Sequence, residues 1–518
     1  MKRNVLKKRT LRLEQLENRE LLSATTWNDA AQADAALAAE MAAVLNADAP
    51  IDLTAAFSAA EVETTAEEAQ TWFVTSNLDD GGEGTLRKII EKAQAGDTIK
   101  FDPSLKGATI TLTQGEIAID KDLTIDAYDL YRFEDLEGLI HDQDHTGLTI
   151  DANFVDRVFN IAEWTDEEFE NATDQKIELK IIGVHMTNGS LHNNVDNYVH
   201  GGAIHVPAHG ALTLEMCVIS NSTAIKGGGA IAVSGELRAS DTIFENNNGG
   251  EDHGGAIRVF DGFVEVIDCY FRNNVIRMVD GDYYSGGGGA VSATGGVFRS
   301  FNTLYTGNCA SFGGAFFVGG GEVYLSNSLV VENGAIRDDD VCSDGGGVNV
   351  DSGSLTIVNS TIAGNKITGN SWYKRGAGLF ANADAGSLTV YIYNSIIAEN
   401  SYLNNGSWEV GLDVTINEPW GWGSNKKVVN MYGWNNLSPF ADWEGESSGN
   451  LTYDGSEPLF AEANGLKYAL AEGSRAIDGG KAEYAKDYYG RSIEADFIRY
   501  KRVAGARIDI GEIGRAHV

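Results

Sequence analysis

Gly228-Gly229-Ala230-Ile231-Ala232-Val233, followed thirteen positions after Ile231 by Phe244-Glu245-Asn246-Asn247, is the phrase that decides the fold. Its first word recurs as Gly201-Gly202-Ala203-Ile204, Gly254-Gly255-Ala256-Ile257, Gly288-Gly289-Ala290-Val291, Gly313-Gly314-Ala315-Phe316, Gly345-Gly346-Gly347-Val348 and Gly376-Ala377-Gly378-Leu379. The second word, an apolar residue with Asn three places on, recurs at Phe271–Asn274, Tyr305–Asn308, Val330–Asn333, Ile362–Asn365 and Ile397–Asn400, and is degenerate at Ile219–Ser222. A period of about 25 to 34 residues, punctuated by Gly and carrying short alternating strands, is the mark of stacked repeats. The length of one repeat suits a coil of two or three short strands. The spacing predicts an all-β chain, a right-handed parallel β-helix in which seven coils at about 4.8 Å make a rod of about 34 Å.

Alternation assigns the columns. The residues at Ile204/Val206, Ile231/Val233, Ile257/Val259, Val291/Ala293, Phe316/Val318, Val348/Val350 and Leu379/Ala381 point into the tube. Those between them, His205, Ala232, Arg258, Ser292, Phe317, Asn349 and Phe380, point out. A further column, Asp241, Asp268, Asn302, Asn327, Asn359 and Asn394, is polar throughout, and stacked Asn and Asp at a turn hydrogen-bond along the axis to fix register.

Composition agrees with a solenoid. Gly is 61 of 518 residues and Pro only 6, so the Gly excess marks turns and not a disordered tract. Lys and Arg number 39 against 75 Asp and Glu, a net charge of −36 that excludes a nucleic-acid partner, which needs a basic footprint. No stretch reaches the ~20 apolar residues of a membrane helix. Four Cys are no disulfide framework. Cys217 and Cys269 stand at equivalent points of alternate repeats with Thr242 between them, roughly 9.6 Å apart, too far to bridge. Cys309 and Cys342 read as free thiols.

Around the repeats the chain divides into segments. Residues 1–24 are basic and then amphipathic, and 25–70 form an Ala-rich acidic spacer with little to bury. The β-helix is expected over 71–400, with its clear repeats at 201–400. At 85–95, Thr85 caps a helix whose Leu86, Ile89, Ile90 and Ala93 make one apolar face, and this helix covers the open edge of the first coil. Residues 401–512 read as an aromatic C-terminal cap and tail. Residues 513–518 match a reading frame through a common sequencing-library adapter and are set aside.

Three resemblances extend this reading. Leu13-Glu14-Gln15-Leu16-Glu17-Asn18-Arg19-Glu20-Leu21-Leu22 resembles the Leu-Glu-x-Arg-x-Leu-Leu export motif of large secreted planctomycete proteins, with Asn18 where that motif usually has Pro. It implies an exported protein. The paired words resemble the repeats of the polymorphic outer-membrane protein family, surface β-helices associated with adhesion. Gly473-Ser474-Arg475-Ala476-Ile477-Asp478-Gly479-Gly480 and Ile508-Asp509-Ile510-Gly511-Glu512 are similar to the anchor-type C-terminal segment of secreted bacterial β-helix proteins, with Arg475 in place of its Pro. Together they imply a cell-surface, outer-membrane-associated or extracellular structural and adhesive module.

Two kinds of site remain open. Parallel β-helices include pectate lyases and other polysaccharide lyases and hydrolases. A lyase needs carboxylates for Ca²⁺ and a basic group to take a proton beside a uronate carboxylate. The candidates are Asp340 with Asp338 and Asp339, Asp344, Asp280, Asp282, Arg258, Lys226, Lys374 and Arg375, with no constellation joining them. Alternatively, Trp408, Trp420, Trp422, Trp434 and Trp443 lie within 36 residues, and flat rings either stack on the sugars of a polysaccharide or cell-surface glycan or close the end of the tube. His205, His209 and His253 have no accompanying ligand pattern, so no metal site and no cofactor are assigned; Ca²⁺ belongs to the lyase alternative alone. The binding module is the preferred reading.

Overall fold

A computed structural model describes residues 69–130, 147–162, 176–191, 200–277, 286–336, 343–368, 374–383, 386–404, 407–417, 429–440, 443, 447–463, 466–496 and 507–511. The export motif, most of the spacer, Asp280, Asp282, Asp338 to Asp340, Cys342, Trp420 and Trp422 lie outside them. Among these residues the parallel ladders run from Thr71–Val74 to Leu451–Thr452 and form a right-handed parallel β-helix. Each full coil contributes one strand to each of three stacks. In the repeat beginning at Gly228 these are Ile231–Val233, Glu236–Ser240 and Ile243–Glu245. Each pairs in parallel, in register, with its counterparts in the coils on either side. The handedness follows the right-handed crossover that twisted parallel strands favour.

The Gly-Gly-Ala word turns the chain from the third corner into the first stack. Its first Gly adopts φ between 62° and 78° in all seven copies. A Cβ there would lie 2.0 to 2.5 Å from the carbonyl oxygen three residues on. At the second position of the first six copies, a Cβ would lie 2.0 to 2.4 Å from a carbonyl of the following coil. The third residue faces the core, where Ala203, Ala230, Ala256, Ala290 and Ala315 are fully buried. The word is therefore a close approach of backbone to backbone between successive coils.

The second word encodes a different device. Its final Asn lies inside the third corner, and Asn247, Asn274, Asn308, Asn333, Asn365 and Asn400 form a continuous buried ladder. Each side-chain Nδ2 donates to the Oδ1 of the next Asn, at 2.9–3.0 Å from Asn247 through Asn365. The backbone N–H donates to that same oxygen at 3.0–3.1 Å. A second Nδ2 hydrogen bond goes to a carbonyl of the preceding coil, as from Asn274 to Phe244 O and from Asn308 to Phe271 O, both at 2.9 Å. Ser222 begins the ladder and Asp413 ends it, accepting from Asn400 N and Nδ2 at 2.9 and 2.7 Å.

The polar column expected from the sequence forms at the second corner. Asp241, Asp268, Asn302, Asn327, Asn359 and Asn394 all adopt φ of 47–55°, which Asn and Asp tolerate better than other side chains. Asn327 donates to Asn302 and Asn394 to Asn359. Just inside it, Thr303, Ser328, Ser360 and Ser395 make a hydroxyl ladder. Cys217 and Cys269 occupy the same column as free, buried thiols. Burial pushes the Cys217 thiol up to about 12. Phe244, Phe271 and Tyr305 stack through the core at 4.5 and 4.9 Å.

Facing outward and being exposed are different things on this surface. The column Ala232, Arg258, Ser292, Phe317, Asn349 and Phe380 does point away from the core, yet all six residues are buried. The segments ahead of the Gly-Gly words fold over it: His253 stacks on Phe317 at 4.6 Å, and Arg375 lies 4.5 Å over Phe380. Alternation reports direction, and burial depends on what covers that direction.

At the N-terminal end a short helix, Leu86–Lys92, is capped by Thr85 and buries Leu86, Ile89 and Ile90. Arg87 ties its approach loop down through a bidentate pair with Asp79 and through the carbonyls of Gly115 and Glu116.

Two predictions follow from the ladder. Asn308→Ala leaves both donors of Asn274 without their acceptor inside a dry corner, so it should cost roughly 3–5 kcal/mol in denaturant unfolding. Asn273→Gly, one residue outside the corresponding ladder position and already at φ 55°, should cost little. Equal losses would show that the ladder contributes nothing specific. The second concerns Asp413, whose pKa is pushed from 3.8 up to about 6, chiefly by burial, with Glu399 adding to it and the Asn400 hydrogen bonds opposing. A folded pKa above the unfolded one makes folding favour the protonated acid. The penalty is full above pH 6 and disappears as pH falls towards 4, and it amounts to roughly 3 kcal/mol. Asp413→Asn retains the acceptor without the charge. Its melting temperature should exceed the parent's at pH 7.5, and the gap should close by pH 4.5; a constant gap would rule out Asp413 titration as its source.

Candidate functional site

The outward face of the first stack gathers several of the sequence candidates. Arg258, on Ile257–Val259, donates through Nη1 to Asp252 Oδ2 at 2.7 Å and to Lys226 O at 2.6 Å. Its guanidinium also lies 4.5 Å over the Phe260 ring. Burial would raise the Asp252 carboxyl, but the hydrogen bond and charge of Arg258 outweigh it and hold its pKa below the ordinary value. His200 donates through Nδ1 to Lys226 O at 2.6 Å and packs edge-on to Phe260. His253 Nδ1 accepts the Gly287 N–H at 2.9 Å, and burial pushes its pKa down to about 4. Burial pushes His205 down to about 4 as well. Both imidazoles are neutral at pH 7.

Four coils further on, Arg375 makes a bidentate pair with Asp344 at 3.0 and 2.6 Å. They are register partners on the two-stranded pair Ser343–Asp344 and Lys374–Arg375. Lys374 donates to Leu403 O and lies 5.8 Å from the centre of the Tyr402 ring. Lys226 pairs with Glu251. The structure thus sets Arg258 and Arg375 on one face but engages each with its own carboxylate. Arg258 Nη1 is committed to Asp252 and to the Lys226 carbonyl. Among the described residues no group of three His, Cys, Asp or Glu is placed to hold a metal ion. Four buried polar atoms on this face, Asn160 Oδ1, Arg258 Nε, Ser292 Oγ and Asn349 Oδ1, have no hydrogen-bond partner.

The tryptophans separate into different environments. Trp443 packs edge-to-face with Phe440 at 5.0 Å, donates to Phe440 O and lies against the last coil of the core. Trp434 stacks on Tyr393 at 4.8 Å, beside the Tyr391–Tyr432 pair at 5.4 Å, on the outward side of the second stack. These rings stack along the axis, so they cover one another's faces. Trp408 differs. It is 48% exposed on Ser407–Val410, a strand added antiparallel to Ser401–Asn404 at the edge of a small sheet that also contains Cys309–Ala310, Gly334–Ile336 and Lys366–Thr368.

Register places Trp408 opposite Leu403, and Val410 opposite Ser401, itself beside Lys366. All lie on the face opposite buried Ile367. The Lys366 ammonium is 5.3 Å from the Trp408 ring centre. On the other face, Glu409 accepts from Tyr402 Oη at 2.6 Å and from Asn404 Nδ2 at 2.8 Å, which braces the hairpin. The result is a firmly held strand that presents one open ring with a cation beside it. Position in the tryptophan cluster could not have singled out Trp408, because exposure follows from the antiparallel hairpin alone.

No family model matches this chain, and no curated protein matches its sequence. Among solved structures, it is similar to the crystal structure of pectate lyase Pel9A, with 15% identity and a TM-score of 0.39, over 86% of this chain and 96% of that one. At that distance the likeness carries no argument about activity. Among the described residues no helix is long and apolar enough to cross a membrane. The chain is a right-handed parallel β-helix, and its function has to be argued from its own surface.

Proposed function

We propose that the protein is an exported, cell-surface or extracellular β-helix that serves as a structural and adhesive module and binds glycan through the Trp408 hairpin. The export and surface parts rest on the resemblances of residues 13–24 and of the repeats. The binding part rests on Trp408, a large ring left 48% exposed on a braced strand. Aromatic faces bury the C–H face of a sugar ring, and the neighbouring Lys366 ammonium supplies a polar contact at its rim. A hairpin fixed on both sides pays little ordering entropy on binding.

Wild-type protein on a glycan array should bind a limited set of polysaccharides without converting them. Trp408→Ala should weaken that binding at least about tenfold by calorimetry, with the melting temperature unchanged because the ring is not part of the core. Undiminished binding by the variant would remove the hairpin from the account. Formation of unsaturated products from polyuronate with Ca²⁺, lost in Arg258→Lys, would instead establish the lyase alternative.

A further inference from the structure

The tail beyond the last coil runs back along the outside of the β-helix. Its root is fixed at the second corner. Gly480 N donates to Ile508 O, Ile510 N to Ala476 O and Gly511 N to Asn394 O, all within 2.7–2.8 Å. Asn394 Nδ2 donates to Lys481 O while Lys481 N donates to Asn394 Oδ1. A Cβ on Gly511 would lie 2.6 Å from Ile396 Cδ1, so the close of the motif fits by having no side chain. From this root Tyr484 packs beside Tyr393 and Trp434. The chain then reaches Glu265, five coil-to-coil steps, or about 24 Å, from Trp434.

The tip is a closed unit of its own. Lys486 bridges Ser492, Asp487 N donates to Arg491 O, and Arg491 pairs with Asp487 at 2.6 Å. It meets the β-helix through its tyrosines and the Lys486 carbonyl, Tyr488 packing edge-on to Tyr324 at 5.3 Å. Tyr324 Oη donates to Lys486 O at 3.1 Å, and Arg299 lies 3.3 Å from the Tyr488 ring centre. Tyr489 Oη accepts from Arg299 Nη1 at 3.2 Å and donates to Glu265 at 2.8 Å. Tyr488 and Tyr489 remain 44% and 45% exposed.

Glu265 and Arg299 are register partners on adjacent parallel strands, where opposite charges would pair directly. No direct ion pair joins them; the Tyr489 hydroxyl stands between, and Arg299 Nε has no partner. Two arrangements therefore satisfy the same groups: the tip closed with Tyr489 as the bridge, or the tip lifted with Glu265 on Arg299. We propose that residues 486–492 form a latch, hinged beyond the Lys481–Asn394 root, that opens without unfolding the β-helix and bares a cationic and aromatic patch of Phe263, Arg299 and Tyr324. Phe263 belongs to it because Arg299 lies 4.7 Å from its ring centre.

The test uses the full chain under limited trypsin, which cuts after Lys486 and Arg491 within the tip. The Tyr488→Ala/Tyr489→Phe double variant should be cut there about tenfold faster. Arg299→Lys, which keeps a charge for Glu265 but loses the planar stack, should show the same acceleration. In both, the melting temperature and the hydrogen exchange of Phe263–Ile267 and Val297–Phe301 should stay at parental values. Unchanged cleavage in either variant overturns the latch. So does faster cleavage accompanied by a matching fall in melting temperature, since the tip would then open only with the fold.

Discussion

The stacking of one coil on the next at a single strand spacing is the constraint from which the rest of the structure follows. At that spacing every corner brings backbone against backbone, and any corner residue must be small or must satisfy the polar groups it covers. The chain uses both solutions. Glycines at the entry to the first stack leave no Cβ to collide with the carbonyls of the next coil. At the third corner the buried asparagines each supply donors and an acceptor in three directions, satisfying one another and a carbonyl of the preceding coil as the coils accumulate. The ladder also specifies register, because a slip of one residue would bury an unpaired amide in every coil.

These demands made the scaffold legible in the sequence. Gly-Gly-Ala can be read because only a repeated close approach needs two glycines and a small residue at a constant offset. The column from Asp241 to Asn394 could be read because stacked Asn and Asp at turns have a local mechanism. The terminal Asn of the second word could be seen as periodic, but its role inside the corner depends on the fold. Its side chain bonds across some 25 to 38 residues of sequence, to neighbours that only coiling supplies. The helix following Thr85 is likewise legible, from its cap and its apolar face.

The candidate site was far less legible, for a physical reason. An outward position on a β-helix has no fixed fate. Arg258 and Phe380 face away from the core but are covered by Phe260, Asp252 and Arg375. Trp408 and Trp434 belong to one sequence cluster; one ring is open and the other is covered by Tyr393. Exposure on such a surface is decided by insertions and by the tail. The repeat carries no record of these.

The tail therefore shapes the surface as much as the repeats do. The hairpin of Phe460–Ala463 and Leu466–Leu470 lies over Leu329, Val331 and Ala363 on the third stack, where Lys467 pairs with Glu332. The returning segment from Gly480 to Ser492 lies over the second stack. Between them, Gly511 and Lys481 are bonded to Asn394 at the shared corner. Two of the three stacks are thus covered, over several coils, by the chain's own C-terminal residues. Segments that occupy these faces through hydrogen bonds and ring contacts compete with any external ligand for the same groups. A partner that binds without such competition must approach elsewhere, and the small sheet ending at Trp408 is one place where the described surface leaves a large ring open. An open ring on a braced strand is what the proposed glycan-binding role of the hairpin rests on, with the repeats as its support.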